Sequence, residues 1–219
     1  MTGKTTRVFL VDDHPLVRES LARLIDQQPD LEVCGEAANA ALALARAPAS
    51  RPDVAVVDLS LEGRSGLDLI RDLRETCPAA HVLILSMHDE QLYAERALRL
   101  GARGYIMKRE ATRNVIAAIR RVRDGELYLS AALAASLAEK AATGGADADS
   151  RIATLSDREL EVFRQLGQGR ATRQIAEALH LSPKTVQAYC ARIKDKLGLA
   201  SATEMLREAI RWLEDQSGC

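Results

Sequence analysis

The sequence predicts two unlike domains, a five-stranded parallel, doubly wound α/β domain and an all-α domain of four helices. Three observations carry this. Over the first 125 residues, short apolar runs alternate with stretches of helical period, the pattern of a parallel sheet covered on both faces. From Leu155 onward the helical period continues without any strand pattern. Between the two, the stretch TGGADADS at 143–150 has no large apolar residue and reads as a linker.

The elements follow in order. Apolar runs at 8–11, 54–59, 82–85 and 105–107, with a weaker one at 31–35, are the expected strands. Their runs are continuous because both sheet faces are to be buried. Leu16, Leu21, Leu24 and Ile25 form the stripe of the first helix, and 42–46, 67–73, 92–100 and 115–122 supply four more. An Ala-rich helix is expected over 127–140. In the second domain Ser156 and Glu159 have capping-box spacing, flanked by Leu155 and Leu160 as a hydrophobic staple. That helix should run to about Gly167, and a short one holds Ile175, Ala176 and Leu179. Ser182 followed by Pro183 starts a third, which ends near Gly198. A fourth begins around Ser201 with Glu204 three residues on. The boundaries expected are 1–125 for the α/β domain, 126–150 for a linker with a short helix, and 151–219 for the helical domain.

With 30 Lys+Arg against 31 Asp+Glu the formal charge is −1, and 28% charged with 47% hydrophobic residues excludes global disorder. The near-zero total is an average. Residues 1–130 hold 18 basic and 19 acidic groups, 131–150 hold 1 and 3, and 151–219 hold 11 and 9. Over 181–198 there are four basic residues, Lys184, Arg192, Lys194 and Lys196, against Asp195 alone. Cys34, Cys77, Cys190 and Cys219 form no CxxC pair, so neither a zinc site nor a disulfide framework is expected. Apolar runs fall far short of the roughly 18 residues of a membrane span. The N-terminal stretch reaches Asp12 and Asp13 too soon for a signal peptide. A cytoplasmic protein with no membrane partner is expected.

Asp12 and Asp13 follow the first strand and Asp58 ends the third. Ligands of open parallel sheets bind beyond the carboxyl ends of the strands, so these carboxylates should converge. Close carboxylates repel and raise one another's pKa, and Mg²⁺ relieves that repulsion while keeping its own waters. Lys108 ends the fifth strand and Ser86 the fourth. Only 6 of the 30 cations are Lys, and a compact ammonium at this point suits a phosphoryl oxygen. The set is suited to accept a phosphoryl group on Asp58. Taken singly, Asp13 reads more readily as a cap for a helix at Pro15 and Asp58 as merely the end of a strand, and it is the set of strand-end residues together that points to a site.

The order VDDHP, VVDLSLEGRSG, LILSMH and GARGYIMK resembles the receiver domain of bacterial two-component response regulators. The resemblance implies a CheY-like domain of flavodoxin-like strand order, with Asp58 as phospho-acceptor for a sensor histidine kinase. It implies direct Mg²⁺ ligation by Asp13, Asp58 and the carbonyl of Ser60, with Asp12 acting largely through water. Lys108 is implied as the phosphate-binding lysine, and Ser86 with Tyr105 as a switch pair. Glu62 departs from the family, which often has proline there, and adds a negative charge near the site. A haloacid-dehalogenase-type phosphatase would want a second carboxylate two residues after Asp58, where Ser60 stands. No turnover enzyme is expected. A receiver retained only as a docking module would not need Asp13, Asp58 and Lys108 together.

A short helix, a turn at His180 and Leu181, and a longer basic helix make a helix-turn-helix pattern. Val186, Cys190, Ile193 and Leu197 should face the core, leaving Lys184, Gln187, Ala188 and Ala191 for a major groove. Thr185 joins this set from the helix start, and Arg192, Lys194 and Lys196 are placed for phosphates. LSDRELEV, QIAEALHLSPKTV and KLGL resemble the LuxR-type helix-turn-helix. With the receiver, they make the chain similar to response regulators of the NarL/FixJ family. Gln187 and Tyr189 stand where many relatives carry Lys and His, and Ala171 where a serine cap is frequent. The resemblance implies a transcription regulator binding double-stranded promoter DNA as a homodimer when phosphorylated, with RNA polymerase as a further partner. On the last helix, Leu206, Ala209, Ile210 and Leu213 form one stripe and Met205 with Trp212 another. One packs on its own domain, and the other is a dimer face or part of a wider buried face.

Overall fold

The computed structural model describes residues 5–61, 65–87, 90–143, 151–179 and 181–217. Glu62, His180 and the linker at 144–150 lie outside them, as does Cys219. The chain divides into two compact units, Met1–Thr143 and Gly144–Cys219.

The first unit is a five-stranded, wholly parallel sheet in the order β2-β1-β3-β4-β5. Its strands are β1 (Thr6–Val11), β2 (Leu31–Ala37), β3 (Val54–Asp58), β4 (His81–Ser86) and β5 (Gly104–Met107). Helices α1 (Pro15–Asp26), α2 (Ala40–Ser50), α3 (Gly66–Thr76), α4 (Glu90–Leu100) and α5 (Lys108–Arg123) alternate with them. This is the doubly wound parallel fold that the alternation predicts, in the strand order that the receiver resemblance implies. Side chains alternate between sheet faces. Val8, Leu10, Val54, Val56, Leu83, Leu85 and Ile106 meet Leu21 and Ile25 of α1 and Val115, Ile119 and Val122 of α5 on one face. Phe9, Val11, Ala55, Val57, Val82 and Ile84, all at most 1% exposed, alternate onto the face covered by the α2, α3 and α4 layer. Both faces of the central strands are dry, which is why their sequences carry no polar period.

Two details depart from the expected pattern. Leu16 is 77% exposed, and Val17 packs inward with Leu21 and Ile25 instead. Leu16 and Leu21 both lie within the helix, and at about 100° per residue, five apart, they point about 140° from each other. A second addition follows α5. Tyr128 forms a parallel bridge with Gly104, taking the N–H of Tyr105 on its carbonyl at 2.9 Å and giving its own to Arg103 at 3.0 Å. This stub extends the sheet beyond β5. Ser130 then caps α6 (Ala131–Thr143) through the N–H of Leu133 at 3.1 Å, and its hydroxyl bonds Glu90 at the head of α4.

The second unit holds a 3₁₀ turn at Ile152–Thr154, then α7 (Asp157–Gly167), α8 (Thr172–Ala178), α9 (Pro183–Leu197) and α10 (Ala202–Ser217). The capping box forms in full, with Glu159 N–H on Ser156 Oγ at 3.4 Å and Ser156 N–H on Glu159 Oε2 at 2.7 Å. Ser182 and Ser201 cap α9 and α10, each accepting a backbone N–H at 3.1 Å. Gly198 ends α9 in the left-handed region at φ 67°. The core is Leu155, Leu160, Phe163, Ile175, Val186, Ile193, Met205, Ala209 and Trp212. Phe163 and Trp212 stack tilted with ring centroids 5.8 Å apart. On α10 the buried stripe is therefore Met205, Ala209 and Trp212, whereas Leu206 and Ile210 stay 38% exposed. At Gly167, α7 meets α10 so closely that a Cβ would lie 2.5 Å from the Ala209 carbonyl.

Gly66 opens α3 directly against the end of β3, where a Cβ would lie 2.2 Å from the Asp58 carbonyl and 2.8 Å from Leu59 Cα. Both obstacles are backbone, so Gly66→Ala should destabilise the first unit by about 1–3 kcal/mol in urea denaturation. Glu159 is 3% exposed and accepts from Lys196 Nζ at 2.6 Å. Burial alone would raise its pKa, but Lys196 and the Ser156 N–H together hold it below the ordinary glutamate range. A depressed native pKa gives stability above the unfolded value that is lost as pH falls through the native one. The second unit, followed by the fluorescence of Trp212, the sole tryptophan, should therefore weaken below about pH 4.3. Glu159→Gln should cost about 1 kcal/mol at neutral pH and flatten that acid limb.

Candidate functional site

Strand register assembles the pocket. Val11 pairs with Val57, so Asp12 and Asp58, the next residue on each strand, leave the sheet side by side. Asp58 pairs with Leu85 and Ser86 with Met107, which brings Ser86 and then Lys108 to the same edge. Four chain segments distant in sequence thus end at one point because their apolar runs end in step.

Lys108 Nζ lies 2.7 Å from Asp12 Oδ2 and 2.8 Å from Asp58 Oδ2. Both aspartates are 2% exposed. Asp58 Oδ1 accepts the Ser60 N–H at 3.2 Å, and Asp12 Oδ1 accepts the His14 N–H at 2.8 Å. Asp13 stands at the rim, with the His14 Nδ1 2.7 Å from its Oδ1. Ligand atoms of Asp12, Asp13, His14 and Asp58 lie within 4.8 Å of one another. Ser86 is fully buried and Tyr105 is 1% exposed, its ring within the fold. The helix at Pro15 has His14 at its N-cap with no side-chain bond, so Asp13 does not cap it.

The electrostatics are unbalanced. Burial pushes the Asp58 carboxyl above the ordinary aspartate range and Asp12 adds to the rise, while Lys108 pulls the other way. Burial works against the Lys108 ammonium, but Asp58 and Asp12 outweigh it and hold its pKa above the ordinary lysine value. Three carboxyl groups stand against the one ammonium of Lys108, so acidic groups outnumber basic ones at the strand ends. All the donors are oxygens apart from His14, and this charge and donor set fit a hard divalent cation of the Mg²⁺ class.

In the second unit α8, a turn and α9 form a helix-turn-helix. Val186, Ile193 and Leu197 are buried, Cys190 is half-buried, and Lys184, Gln187, Ala188 and Ala191 are exposed on the opposite face. Arg192 is exposed with its guanidinium 5.8 Å from the Tyr189 ring centroid. Lys194 is half-buried. The Thr185 hydroxyl is 2.7 Å from Ser182 Oγ, within the cap. Lys196 departs from the expected phosphate-facing set: its ammonium is engaged by Glu159 and, at 3.2 Å, by the Thr154 carbonyl. Sequence reasoning missed His14, whose proximity to Asp13 needs the loop geometry. It also missed Arg18, which donates to the Asp12 carbonyl at 2.6 Å.

Residues 8–120 match the response regulator receiver domain, and residues 153–209 match the bacterial regulatory proteins of the luxR family. The chain is 37% identical over 198 residues to the DNA-binding transcriptional activator DevR/DosR of Mycobacterium tuberculosis, covering 90% of this chain and 91% of that protein. It is 34% identical over 210 residues to the oxygen regulatory protein NreC of Staphylococcus aureus (strain bovine RF122 / ET3-1), covering 94% and 97%. A two-component response regulator of the LuxR family from Aurantimonas sp. SI85-9A1 superposes with a TM-score of 0.59 at 37% identity, over 64% of this chain and 99% of that one. The sheet that builds the pocket and the helices that follow it match in their order along the chain, and the relatives run alongside nearly all of it, so the chain belongs to the NarL/FixJ family of response regulators.

Proposed function

We propose that the chain is a transcription regulator switched by phosphorylation of Asp58, with the receiver in 1–125, a linker in 126–150 and the DNA-binding domain in 151–219. The observation that carries this reading is the Lys108 ammonium shared between two buried carboxylates at the strand ends. In this reading the phosphoryl donor is a phosphohistidine of a sensor histidine kinase. An Asp58 oxygen attacks phosphorus, the P–N bond breaks, and the imidazole leaves with a proton. Mg²⁺, when held by Asp13, Asp58 and the Ser60 carbonyl with Asp12 acting largely through water, supplies neutralisation of the transferring group's charge. Lys108 passes from the Asp58 carboxylate to a phosphoryl oxygen, and the Ser60 N–H keeps the acceptor oriented. Ser86 turns its hydroxyl toward the phosphoryl group, with Tyr105 inward behind it.

The output is promoter binding in the cytoplasm by a homodimer, with RNA polymerase as a further partner. Lys184, Thr185, Gln187, Ala188 and Ala191 present the reading face of α9, and Arg192 and Lys194 flank it toward phosphates. Lys196 adds charge from a side chain anchored to Glu159. The exposed pair Leu206 and Ile210 on α10 supports a self-association face.

Incubation with Mg²⁺ and acetyl phosphate should add one phosphoryl group by mass, shift the chain toward a dimer in size-exclusion chromatography and raise binding to selected genomic fragments. Asp58→Asn should lose all three responses. Labelling that persists in Asp58→Asn, or operator affinity indifferent to the phosphodonor in the wild type, would sink the switch. On a duplex selected by the wild-type chain, Arg192→Ala should lower the slope of log affinity against log salt by about 1. Gln187→Ala should leave that slope alone and cost about 1–3 kcal/mol of discrimination at one base pair.

A further inference from the structure

Arg18 lies one turn into α1 and folds back over the pocket's outer wall. Its side chain is 17% exposed. One guanidinium nitrogen donates to the Asp12 carbonyl at 2.6 Å, and Nε lies 3.3 Å from Glu36 Oε2 at the end of β2. Glu36 is itself held, its carbonyl accepting from Arg46 of α2 at 3.1 Å. Asp12 is thereby fixed at four points: its N–H on the Ala37 carbonyl at 3.2 Å, Oδ1 under the His14 N–H, Oδ2 on Lys108, and its carbonyl under Arg18.

The Asp12 carbonyl belongs to the planar peptide that joins Asp12 to Asp13. Turning that plane swings the Cα–Cβ direction of Asp13. Asp13 is the least buried of the three carboxylates at 22% exposure, and its neighbour His14 is 66% exposed, so packing fixes it poorly from outside. The contact to the Asp12 carbonyl holds it from inside. We propose that Arg18 is a positioning residue for the cation site, holding the Asp12–Asp13 peptide plane so that the Asp13 carboxylate faces the bound cation. This rests on the reading of the pocket as a divalent-cation site.

The alternative role has the opposite sign. A guanidinium close to a cation site repels the cation, so removing it for electrostatic reasons alone tightens binding. If it positions Asp13, removing it weakens binding. The test is isothermal titration of Mg²⁺ into the full chain as wild type, Arg18→Gln and Arg18→Lys, with thermal melts beside each. Arg18→Gln should weaken Mg²⁺ about 10-fold, with labelling of Asp58 by acetyl phosphate at saturating Mg²⁺ close to the wild-type rate. Arg18→Lys keeps the charge but cannot span both partners, and should fall between the two. Unchanged or tighter Mg²⁺ binding in Arg18→Gln overturns the inference while the cation site stands. If Arg18→Gln does not fold, Arg18→Lys decides at constant charge: weaker binding supports the inference and equal binding overturns it. A wild-type chain that binds no Mg²⁺ overturns the cation reading and this inference with it.

Discussion

The ammonium of Lys108 holds together two carboxylates that burial and mutual repulsion would otherwise drive apart, and the α/β unit is arranged around that contact. An ionised carboxylate within a dry sheet edge is costly unless paired. One lysine pairs with both Asp12 and Asp58, and it neutralises fewer charges than the pocket contains. Burial above all, with Asp12 adding to it, keeps Asp58 hard to ionise, and the surplus of acidic groups makes the arrival of positive charge favourable. The same imbalance favours the arrival of a cation, which the proposed phosphoryl transfer to Asp58 would need to offset the anionic charge of the incoming group.

The helical unit solves a related problem with one carboxylate. Glu159 closes the capping box of α7 and, through the same Oε2, receives the Lys196 ammonium from the last turn of α9. A helix start and a helix end, each with unmet backbone groups, are locked to each other by one buried acid. Lys196 thereby becomes part of the scaffold that presents the exposed face of α9.

Much of this was legible in the sequence. The five strands and most helices follow from period alone, and the convergence of Asp12, Asp58, Ser86 and Lys108 follows from parallel strands whose apolar runs stop in step. Helix caps at Ser156, Ser182 and Ser201 rest on local chemistry and needed nothing further. What could not be read depends on rotation or on partners far along the chain. On α1, by contrast, the helical step of about 100° alone sets Leu16 off the stripe of Leu21 and Ile25, so its exposure was legible and the expected stripe misplaced it. On α10, apolar residues lie on too wide an arc for period to choose between Leu206 and Met205, and the partner Phe163 chose. The contacts of Lys196 with Glu159 and of Arg18 with the Asp12 carbonyl leave no trace in spacing.

The parallel stub at Tyr128 bears on where this chain can be cut. A boundary at residue 125 falls before it, and a fragment ending there would strip β5 of the backbone partner that satisfies Tyr105 and Arg103. It would leave a four-residue strand open along one side. An uncovered strand edge is a template for pairing with a second chain. The few residues after α5 therefore act as a selvedge to the sheet: they finish the weave, and a receiver excised without them would meet its own copies edge to edge.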